Sequence, residues 1–344
     1  MKTDDFDYYL PEELIAQSPI ENRSSSRLLV LDKTSGEITE DHFYNILSYL
    51  DKDSVLVINN TRVVPARIIG EKIDTKAKIE LLILKDLGSC VFECLAKPQR
   101  RLKVGSVVSF KDGLLKATIL ELLDEGIVHA KFDYEGVFFE VLDKIGEVPL
   151  PPYIHKKLDD TNRYQTVYSK VKGSSAAPTA GLHFTPEILE SIKKTGIDII
   201  EVTLTIGLGT FRPVQVEDVE KHKMHSETYS ISEDAANRLN EAKKNNKKIV
   251  AVGTTSLRTL EANYSKYNEF RAENSATSIF IYPGYEFKAI DELITNFHLP
   301  KSTLIMLVSA LAGKENIINA YNYAVNKRFR FFSFGDCMFI RNKK

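Results

Sequence analysis

Residues Lys248-Ile-Val-Ala-Val252-Gly-Thr-Thr-Ser-Leu-Arg258 decide the fold of this chain. Four successive apolar residues predict a buried strand over 248–252, and the tight polar turn that follows leads into a predicted helix from about Ser256. A short strand without alternating polar positions is typical of a parallel sheet that helices cover on both faces. This stretch therefore predicts a strand–helix unit of an α/β fold.

Strands and helices alternate in the same way through the second half of the chain, which supports the α/β prediction. Thr185, which a proline follows at the first helical position, and Ser232 are both typical helix caps. The predicted helices are 186–194, 232–245, 303–313 and 315–326, and the other predicted strands are 198–206, 278–281 and 337–340. The early apolar run 54–58 is expected to join the same sheet.

The segment between Pro65 and Phe132 has a different pattern, with short strand-like runs at close spacing and Gly or Asp turns between them. The runs are 78–84, 90–96, 106–110, 114–122 and 127–132, and a predicted helix over 137–145 follows them. Asp112-Gly113 between two apolar runs is a good hairpin signal. Short strands at this spacing predict a small antiparallel barrel or sandwich, and we expect the barrel.

Together the two patterns predict a discontinuous α/β main domain with an inserted small antiparallel β-barrel domain. We expect the α/β catalytic domain to comprise residues 1–60 and 154–344 and the inserted barrel to comprise 61–153. The proline-rich stretch Val148-Pro-Leu-Pro-Pro-Tyr153 is the expected hinge.

The charge of the chain argues against nucleic-acid binding through a bulk excess of basic residues. It has 46 Lys and Arg against 47 Asp and Glu, a formal net charge of -1 over 344 residues. Proteins that wrap nucleic acid by bulk charge usually show a clear basic excess, so any RNA contact must come from a local patch. The candidate RNA-binding residues are Arg100, Arg101, Lys103, Arg163 and Lys172.

Three cysteines, an odd and small number, argue against a disulfide framework and favour a reducing cytoplasm. Cys90 and Cys94 share a face of a predicted strand and are expected in the core. The N-terminal residues lack the basic start and apolar core of a signal peptide. The longest nearly apolar run, 304–312, is far shorter than the ~20 residues that span a bilayer. We therefore expect a cytoplasmic protein without a membrane partner.

A loop of small residues, Lys172-Gly-Ser-Ser-Ala-Ala-Pro-Thr-Ala-Gly-Leu-His183, precedes the helix that Thr185 caps. Small residues let a backbone approach a ligand closely. A histidine near a helix N-terminus is favoured in its neutral form, which suits base catalysis. The alternative is a flexible linker with a structural histidine.

Two polar turns follow predicted strands. Ile206-Gly-Leu-Gly209-Thr-Phe-Arg212 could cradle an anion or a nucleoside, although Arg212 stands where a dinucleotide fingerprint has its third glycine. The turn from Gly253 to Arg258 could hold a carboxylate or phosphate at a helix N-terminus. Helix capping alone would also explain Thr254 and Ser256.

Two further segments carry histidines. In His222-Lys-Met-His225-Ser-Glu227 the histidine spacing would suit a metal on a helix, but no third and fourth ligands are evident, so we predict no metal site. His225 and Glu227 can instead form an acid/base or hydrogen-bonding pair. Asn296, His298 and Lys301 cluster before an apolar helix, which is unusual for a plain connection.

Taken together, these segments resemble one family, the S-adenosylmethionine:tRNA ribosyltransferase-isomerases of queuosine biosynthesis. The matching blocks run in order along the chain and include Phe6-Asp-Tyr-Tyr-Leu-Pro, Asn60-Thr-Arg-Val-Val-Pro, Arg163-Tyr-Gln-Thr-Val-Tyr, Ala176-Ala-Pro-Thr-Ala-Gly-Leu-His-Phe-Thr185, Gly207-Leu-Gly-Thr-Phe-Arg-Pro-Val, His222-Lys-Met-His-Ser-Glu, Ala251-Val-Gly-Thr-Thr-Ser-Leu-Arg, Thr295-Asn-Phe-His-Leu-Pro-Lys and Phe331-Phe-Ser-Phe-Gly-Asp336. Departures are modest: Asn60 stands where an aspartate is usual, and the tryptophan expected before Ile279 is absent.

The resemblance implies the reaction. The ribosyl part of S-adenosylmethionine is transferred to 7-aminomethyl-7-deazaguanine at the tRNA wobble position and isomerised, which gives epoxyqueuosine and releases adenine and methionine. S-adenosylmethionine is consumed as a substrate, so no cofactor is expected. The expected partner is the tRNA anticodon stem-loop, bound by a monomer.

The resemblance also suggests roles for the matched residues. His183 and Glu227 are the first candidates for proton transfer, and His225 and His298 are the next. Thr254, Thr255 and Arg258 are expected to bind the methionyl carboxylate. Gly207, Gly209, Thr210 and Arg212 are expected to shape the nucleoside pocket, and Asp336 to bind ribose hydroxyls or the deazaguanine. The remaining candidate substrate-binding residues are Pro178, Thr179, Gly181, Asn296 and Lys301.

Two other function classes stay open from the residues alone. A non-catalytic RNA-binding protein would fit the small barrel, although it would not need the polar loops. An S-adenosylmethionine-dependent methyltransferase would release S-adenosylhomocysteine instead of adenine and methionine.

Overall fold

The computed structural model describes residues 1–156, 158–207 and 216–343. The chain divides into two compact units. The first, here called the sheet unit, comprises 1–62, 152–171 and 177–344, and the second, the barrel unit, comprises 63–151 and 172–176. The predicted fold class is confirmed, since the structure has a large mixed sheet accompanied by helices and a closed antiparallel barrel. The predicted domain boundaries at 60/61 and 153/154 stay a prediction.

The described strands form two larger sheets and one small sheet. The large sheet contains β1 (Arg27–Asp32), β2 (Ile38–His42), β3 (Ser54–Asn59), β12 (Asp198–Thr205), β13 (Glu227–Ile231), β14 (Lys248–Val252), β15 (Glu273–Thr277), β16 (Glu292–Asn296) and β17 (Cys337–Arg341). The barrel contains β5 (Arg67–Lys72), β6 (Lys78–Gly88), β7 (Val91–Lys97), β8 (Val107–Phe110), β9 (Leu115–Leu122) and β10 (Ile127–Tyr134), and β4 (Thr61–Val63) pairs with β11 (Val171–Ser174).

Four strands at the centre of the large sheet run parallel in the order β12-β3-β14-β16. Their carboxyl ends at Asn59, Thr205, Val252 and Asn296 therefore lie on one side, here called the carboxyl edge. β17 is antiparallel to β16 and parallel to β1, and β13 is antiparallel to β12. The amino ends of β1, β13 and β17 consequently lie at the same edge.

The helices are α1 (Phe138–Ile145) in the barrel unit and α2 (Pro186–Lys194), α3 (Glu233–Lys244), α4 (Gly253–Tyr267), α5 (Thr303–Ala312) and α6 (Lys314–Asn326) in the sheet unit. The predicted caps are confirmed, since the Thr185 hydroxyl accepts from the Ile188 N–H and that of Ser232 from the Ala235 N–H. Among the described residues, no helix is long and apolar enough to cross a membrane.

Two predictions for the large sheet are wrong. The helix after β14 begins at Gly253 and not at Ser256, whose hydroxyl bonds to the Val252 carbonyl from within the helix and does not cap it. The strand predicted over 278–281 lies at Glu273–Thr277 instead. That strand is at the edge of the sheet and its residues are mostly polar, so no apolar run marks it.

In the barrel, alternate side chains of each strand fill the interior, as Ile79, Leu81 and Ile83 do in β6. Cys94 is in this core as predicted, whereas Cys90 precedes β7 and is exposed, which corrects its predicted burial. The predicted Asp112-Gly113 turn joins β8 to β9, and both residues have positive φ.

Candidate functional site

The carboxyl edge of the sheet unit collects polar side chains from separate parts of the chain. Ser26 immediately precedes β1, Glu227 begins β13, and Asn296 ends β16. The first turn of α4 starts directly at the end of β14, and a 3-10 helix over Thr179–His183 contacts both α4 and β16. In sheets of this kind, ligands bind in the crevice beyond the carboxyl ends of the strands.

His183 lies between two hydrogen-bonding side chains at this edge. Its Nδ1 is 2.8 Å from the Ser26 hydroxyl, and its Nε2 is 3.1 Å from the Asn296 side-chain nitrogen. All three residues are buried, and the imidazole packs 5.2 Å from the ring of Phe43. We call Ser26, His183 and Asn296 the His183 cluster.

The amide of Asn296 determines which nitrogen of His183 carries the hydrogen. Its Nδ2 also donates to the Phe332 carbonyl at 3.2 Å, so the nitrogen, not the oxygen, faces the imidazole. Nε2 of His183 therefore accepts, and Nδ1–H donates to Ser26. In the part of the chain that the structure describes, Oδ1 of Asn296 is buried and has no hydrogen-bond partner.

His183 is neutral at physiological pH. Burial lowers its pKa to about 3, and the positive charges of Arg23 and Arg330 lower it further. The predicted neutral form is thus confirmed, although its main cause is burial and not the helix N-terminus. A neutral imidazole can accept a proton, and the imidazolium that results is a strong acid.

A second group, the Glu227 cluster, comprises His225, Glu227 and Arg258. The Glu227 carboxylate pairs with Nη1 of Arg258, and Nε2 of His225 is 3.4 Å from the other carboxylate oxygen. Glu227 and Arg258 are both buried, so loss of one partner would leave an uncompensated charge.

Arg258 has donors that its carboxylate partner does not use. Its Nε and Nη2 are buried and make no hydrogen bond to any described residue, and the same holds for the hydroxyl of Thr255. Thr255 and Arg258 are three residues apart on α4 and so share a helix face. Thr254, between the helix start and this pair, is half-buried. The open donors are suited to an oxyanion.

The end of the loop of small residues packs against the helix that carries Arg258. A Cβ added to Gly253 would lie 3.6 Å from Cβ of Ala180, so the 3-10 helix packs against the start of α4. Gly181 is a packing requirement, since its Cβ would lie 2.0 Å from the Tyr168 hydroxyl. Pro178 is buried before the 3-10 helix, and Thr179 is half-buried.

Three predicted site residues have their functional groups occupied elsewhere. Nε2 of His298 is 3.0 Å from the Thr295 hydroxyl, and burial lowers the pKa of His298 to about 3. Nζ of Lys301 is exposed and lies 2.8 Å from Asp4. The Asp336 carboxylate accepts from the backbone N–H groups of Arg27 and Arg330, so it positions the start of β1.

The structure does not bring the other predicted residues into either cluster. Gly207 is half-buried, and a Cβ there would meet no described atom within 4 Å. Gly209, Thr210 and Arg212 lie outside the described residues. The candidate RNA-binding residues are divided between the units. In the barrel unit, Arg100, Arg101 and Lys103 are exposed, and Nζ of Lys172 is 3.0 Å from Asp143. In the sheet unit, Arg163 is half-buried and donates to the Ile20 carbonyl.

Sequence reasoning missed Ser26 and Arg330. Ser26 begins the block Ser26-Arg-Leu-Leu-Val, which also resembles the family. This resemblance indicates that the residue matters but gives it no role. Within the described ranges, no group of three or more His, Cys, Asp or Glu residues could hold a metal ion.

Comparisons with known proteins agree over the whole chain. The model of a family described as "Queuosine biosynthesis protein" matches residues 3–340. The S-adenosylmethionine:tRNA ribosyltransferase-isomerase of Clostridioides difficile is 57% identical over 99% of this chain and 100% of its own length. The crystal structure of S-adenosylmethionine tRNA ribosyltransferase from Thermotoga maritima is similar, with 36% identity, a TM-score of 0.55 and coverage of 98% of this chain and 99% of that one.

The substitution Gly181→Ala tests the packing of the 3-10 helix. The added methyl would overlap the Tyr168 hydroxyl, so we expect the free energy of unfolding to fall by about 3 kcal/mol in urea denaturation. Gly207→Ala is the matched control, because its Cβ would meet no atom within 4 Å. Equal stabilities of the two variants would contradict the packing.

The low pKa of His183 makes stability depend on pH. The unfolded state binds a proton near pH 6.5 that the folded state binds only near pH 3, so stability is lost as the pH falls between these values. Between pH 7 and pH 4.5 this group should account for about 2 to 3 kcal/mol. The variant His183→Gln should lose that much less stability over the same range in urea denaturation; an unchanged pH dependence would refute the shift.

Proposed function

The chain belongs to the queuosine biosynthesis protein family and acts as an S-adenosylmethionine:tRNA ribosyltransferase-isomerase, and from this premise we propose that its reaction takes place at the carboxyl edge of the sheet unit. The ribosyl part of S-adenosylmethionine is transferred to 7-aminomethyl-7-deazaguanine at the wobble position and isomerised to epoxyqueuosine, with release of adenine and methionine. The observation that carries this placement is that the 3-10 helix ending at the neutral His183 packs against the start of α4, the helix that holds the buried Arg258 with its open donors.

His183 is the proton acceptor in this proposal. A sulfonium acidifies the adjacent 5′ carbon, so a positioned neutral base can remove a proton there. The lone pair of Nε2 is the only basic site on the imidazole, and the Asn296 N–H occupies it in the free protein. Substrate must therefore displace the Asn296 amide, whose buried Oδ1 is available to accept from the aminomethyl group.

The same histidine can return the proton to adenine. Imidazolium in this site is disfavoured by burial and by the charges of Arg23 and Arg330, so it readily gives up its proton. Protonation of adenine makes it a better leaving group. The proton that His183 takes from the 5′ carbon thus leaves on adenine, and the free enzyme regains neutral His183.

Arg258 and Thr255 are suited to the methionyl carboxylate. Nε and Nη2 of one guanidinium form a fork that matches two carboxylate oxygens, and the Thr255 hydroxyl lies on the same helix face. In this proposal Glu227 holds Arg258 in place and does not transfer protons, because its carboxylate is committed to the guanidinium. His298 and Lys301 have no part in binding, since Thr295 and Asp4 occupy them.

Further properties of the chain belong to the same proposal. We place the enzyme in the cytoplasm as a monomer without a resident cofactor, and three free cysteines support a reducing compartment. Arg100, Arg101 and Lys103, exposed together around a 3-10 helix of the barrel unit, are suited to phosphates of the anticodon stem-loop.

The products distinguish this reaction from the two alternatives. Incubation of the protein with labelled S-adenosylmethionine and tRNA that carries 7-aminomethyl-7-deazaguanine should release adenine and methionine together. S-adenosylhomocysteine as the product would indicate a methyltransferase, and binding of the RNA without turnover would indicate a non-catalytic protein.

The variants Thr255→Val and Thr254→Val test the carboxylate site. The Thr255 hydroxyl is buried without a partner among the described residues, whereas Thr254 is half-buried, so Thr255→Val should raise KM for S-adenosylmethionine about tenfold with kcat little changed. Thr254→Val is the matched change one residue away and should leave KM within about twofold. The reverse ranking of the two KM values would place the carboxylate elsewhere.

The variants His183→Gln and His298→Gln compare two buried neutral histidines. Loss of the proton acceptor in His183→Gln should lower kcat about 100-fold or more, with KM for both substrates nearly unchanged. His298→Gln should cost much less, because its Nε2 bonds to Thr295 inside the sheet unit. A larger loss of kcat in His298→Gln, with both variants folded, would overturn the assignment.

A further inference from the structure

Three arginines attach the segment over residues 18–23, which precedes Ser26, to other parts of the sheet unit. Arg23 donates from Nη1 to the Gln165 carbonyl at 2.7 Å and from Nη2 to the Asn162 carbonyl at 2.9 Å. Arg163, which lies between those two residues in sequence, donates back to the Ile20 carbonyl, and Arg330 donates to the Ser18 carbonyl. We call Arg23, Arg163 and Arg330 the arginine cluster.

The positive charge of this cluster is not balanced by acidic partners. Every hydrogen bond described for the three guanidinium groups goes to a backbone carbonyl, and none goes to a carboxylate among the described residues. Two acidic side chains act on the cluster through their charge without a hydrogen bond to a guanidinium group: Asp160 favours the charged form of Arg23, and Asp336 that of Arg330. The Asp336 carboxylate accepts from backbone N–H groups. Arg23, Arg163 and Arg330 are all half-buried.

Two donors of the cluster are open. Nη1 of Arg330 and Nε of Arg163 are buried and have no hydrogen-bond partner in the described part of the chain. Burial lowers the pKa of Arg23 and of Arg330, and the neighbouring charge of Arg163 adds to the effect on Arg23. Buried donors without a partner are costly, and an anion that accepts from them would remove that cost. Attachment of a loop through carbonyls would not require three charges.

The cluster adjoins the His183 cluster. Nη1 of Arg23 is 3.5 Å from the carbonyl of Leu182, the residue before His183. The charges of Arg23 and Arg330 both lower the pKa of the His183 imidazole. An anion held here would lie next to whatever group occupies the His183 cluster.

We propose that the arginine cluster binds a phosphate of the RNA chain next to the nucleotide whose base is presented to His183. This inference rests on the proposed function. A base that is turned out of its stack brings its flanking phosphates with it, and guanidinium groups match phosphate oxygens in geometry as well as charge. A phosphate fits better than the methionyl carboxylate, because Arg258 with Thr255 already provides donors for that group.

The test is a double-mutant cycle between Arg330 and the RNA backbone. One RNA is an anticodon stem-loop with 7-aminomethyl-7-deazaguanine, and the other carries uncharged methylphosphonates on both sides of that nucleotide. For the wild-type protein, neutralising the phosphates should weaken binding about tenfold. The Arg330→Gln variant should bind the normal RNA about tenfold more weakly than the wild-type protein does, and neutral phosphates should weaken its binding little further. The slope of the logarithm of its RNA-binding constant against the logarithm of the salt concentration should be smaller in magnitude by about one. KM for S-adenosylmethionine should not change.

Arg328→Gln is the matched control, because Arg328 is exposed two residues away and lies 3.8 Å from Glu13. It should bind both RNAs as the wild-type protein does. Arg163→Gln repeats the cycle if Arg330→Gln does not fold.

Three results would overturn the inference. Independent, additive losses would mean that Arg330 and these phosphates do not meet. A higher KM for S-adenosylmethionine with unchanged RNA affinity would place the carboxylate in the cluster. Lower thermal stability with normal binding would leave the cluster as a structural attachment only. Because the cycle measures RNA binding, a wild-type protein that binds RNA but releases no adenine would refute the proposed function separately.

Discussion

The parallel pairing of β12, β3, β14 and β16 is the constraint on which the site depends, because it forces four strands to end at one edge. Beyond that edge the chain diverges, and the backbone groups there need partners outside the sheet. Asn59 supplies them between β3 and β12: its Oδ1 accepts from the N–H groups of Thr61 and Leu204, and its Nδ2 donates to the Leu204 carbonyl. The collection of polar groups at this edge thus follows from strand direction and not from any single loop.

Burial at this edge determines the chemical state of its polar groups. Desolvation keeps His183 neutral, and the Asn296 amide, which donates to Nε2, leaves the hydrogen of the ring on Nδ1. The same desolvation makes an unpaired cation costly, so Glu227 accompanies Arg258. The guanidinium groups of the arginine cluster instead donate to backbone carbonyls, and no carboxylate among the described residues accepts from them. In the proposed reaction the neutral imidazole and the open donors serve the sulfonium substrate and its anionic groups.

Local patterns in the sequence predict only some of the strands whose burial is uniform, since β1 and β16 are as buried as β14 and are not among the predicted strands. The apolar runs predict β3, β14 and β17, and short polar side chains predict the caps at Thr185 and Ser232. Polar edge strands such as β15 have no such pattern. The partners of His183 could not be predicted because Ser26 and Asn296 are 157 and 113 residues away from it in the chain. Residue type also cannot show that a polar group is already satisfied, as Lys301 is by Asp4 and Asp336 is by backbone N–H groups.

In the proposed reaction a buried, neutral His183 with its hydrogen on Nδ1 is the proton acceptor, and nitrogen NMR of the histidine-labelled protein can measure this state of the ring. A titration of the ring nitrogens should show His183 neutral down to about pH 4, with the shift of a protonated nitrogen at Nδ1 and of an unprotonated one at Nε2. Assignment through His183→Gln identifies the signal. A His183 that titrates near pH 6.5, or one with its hydrogen on Nε2, would contradict the account.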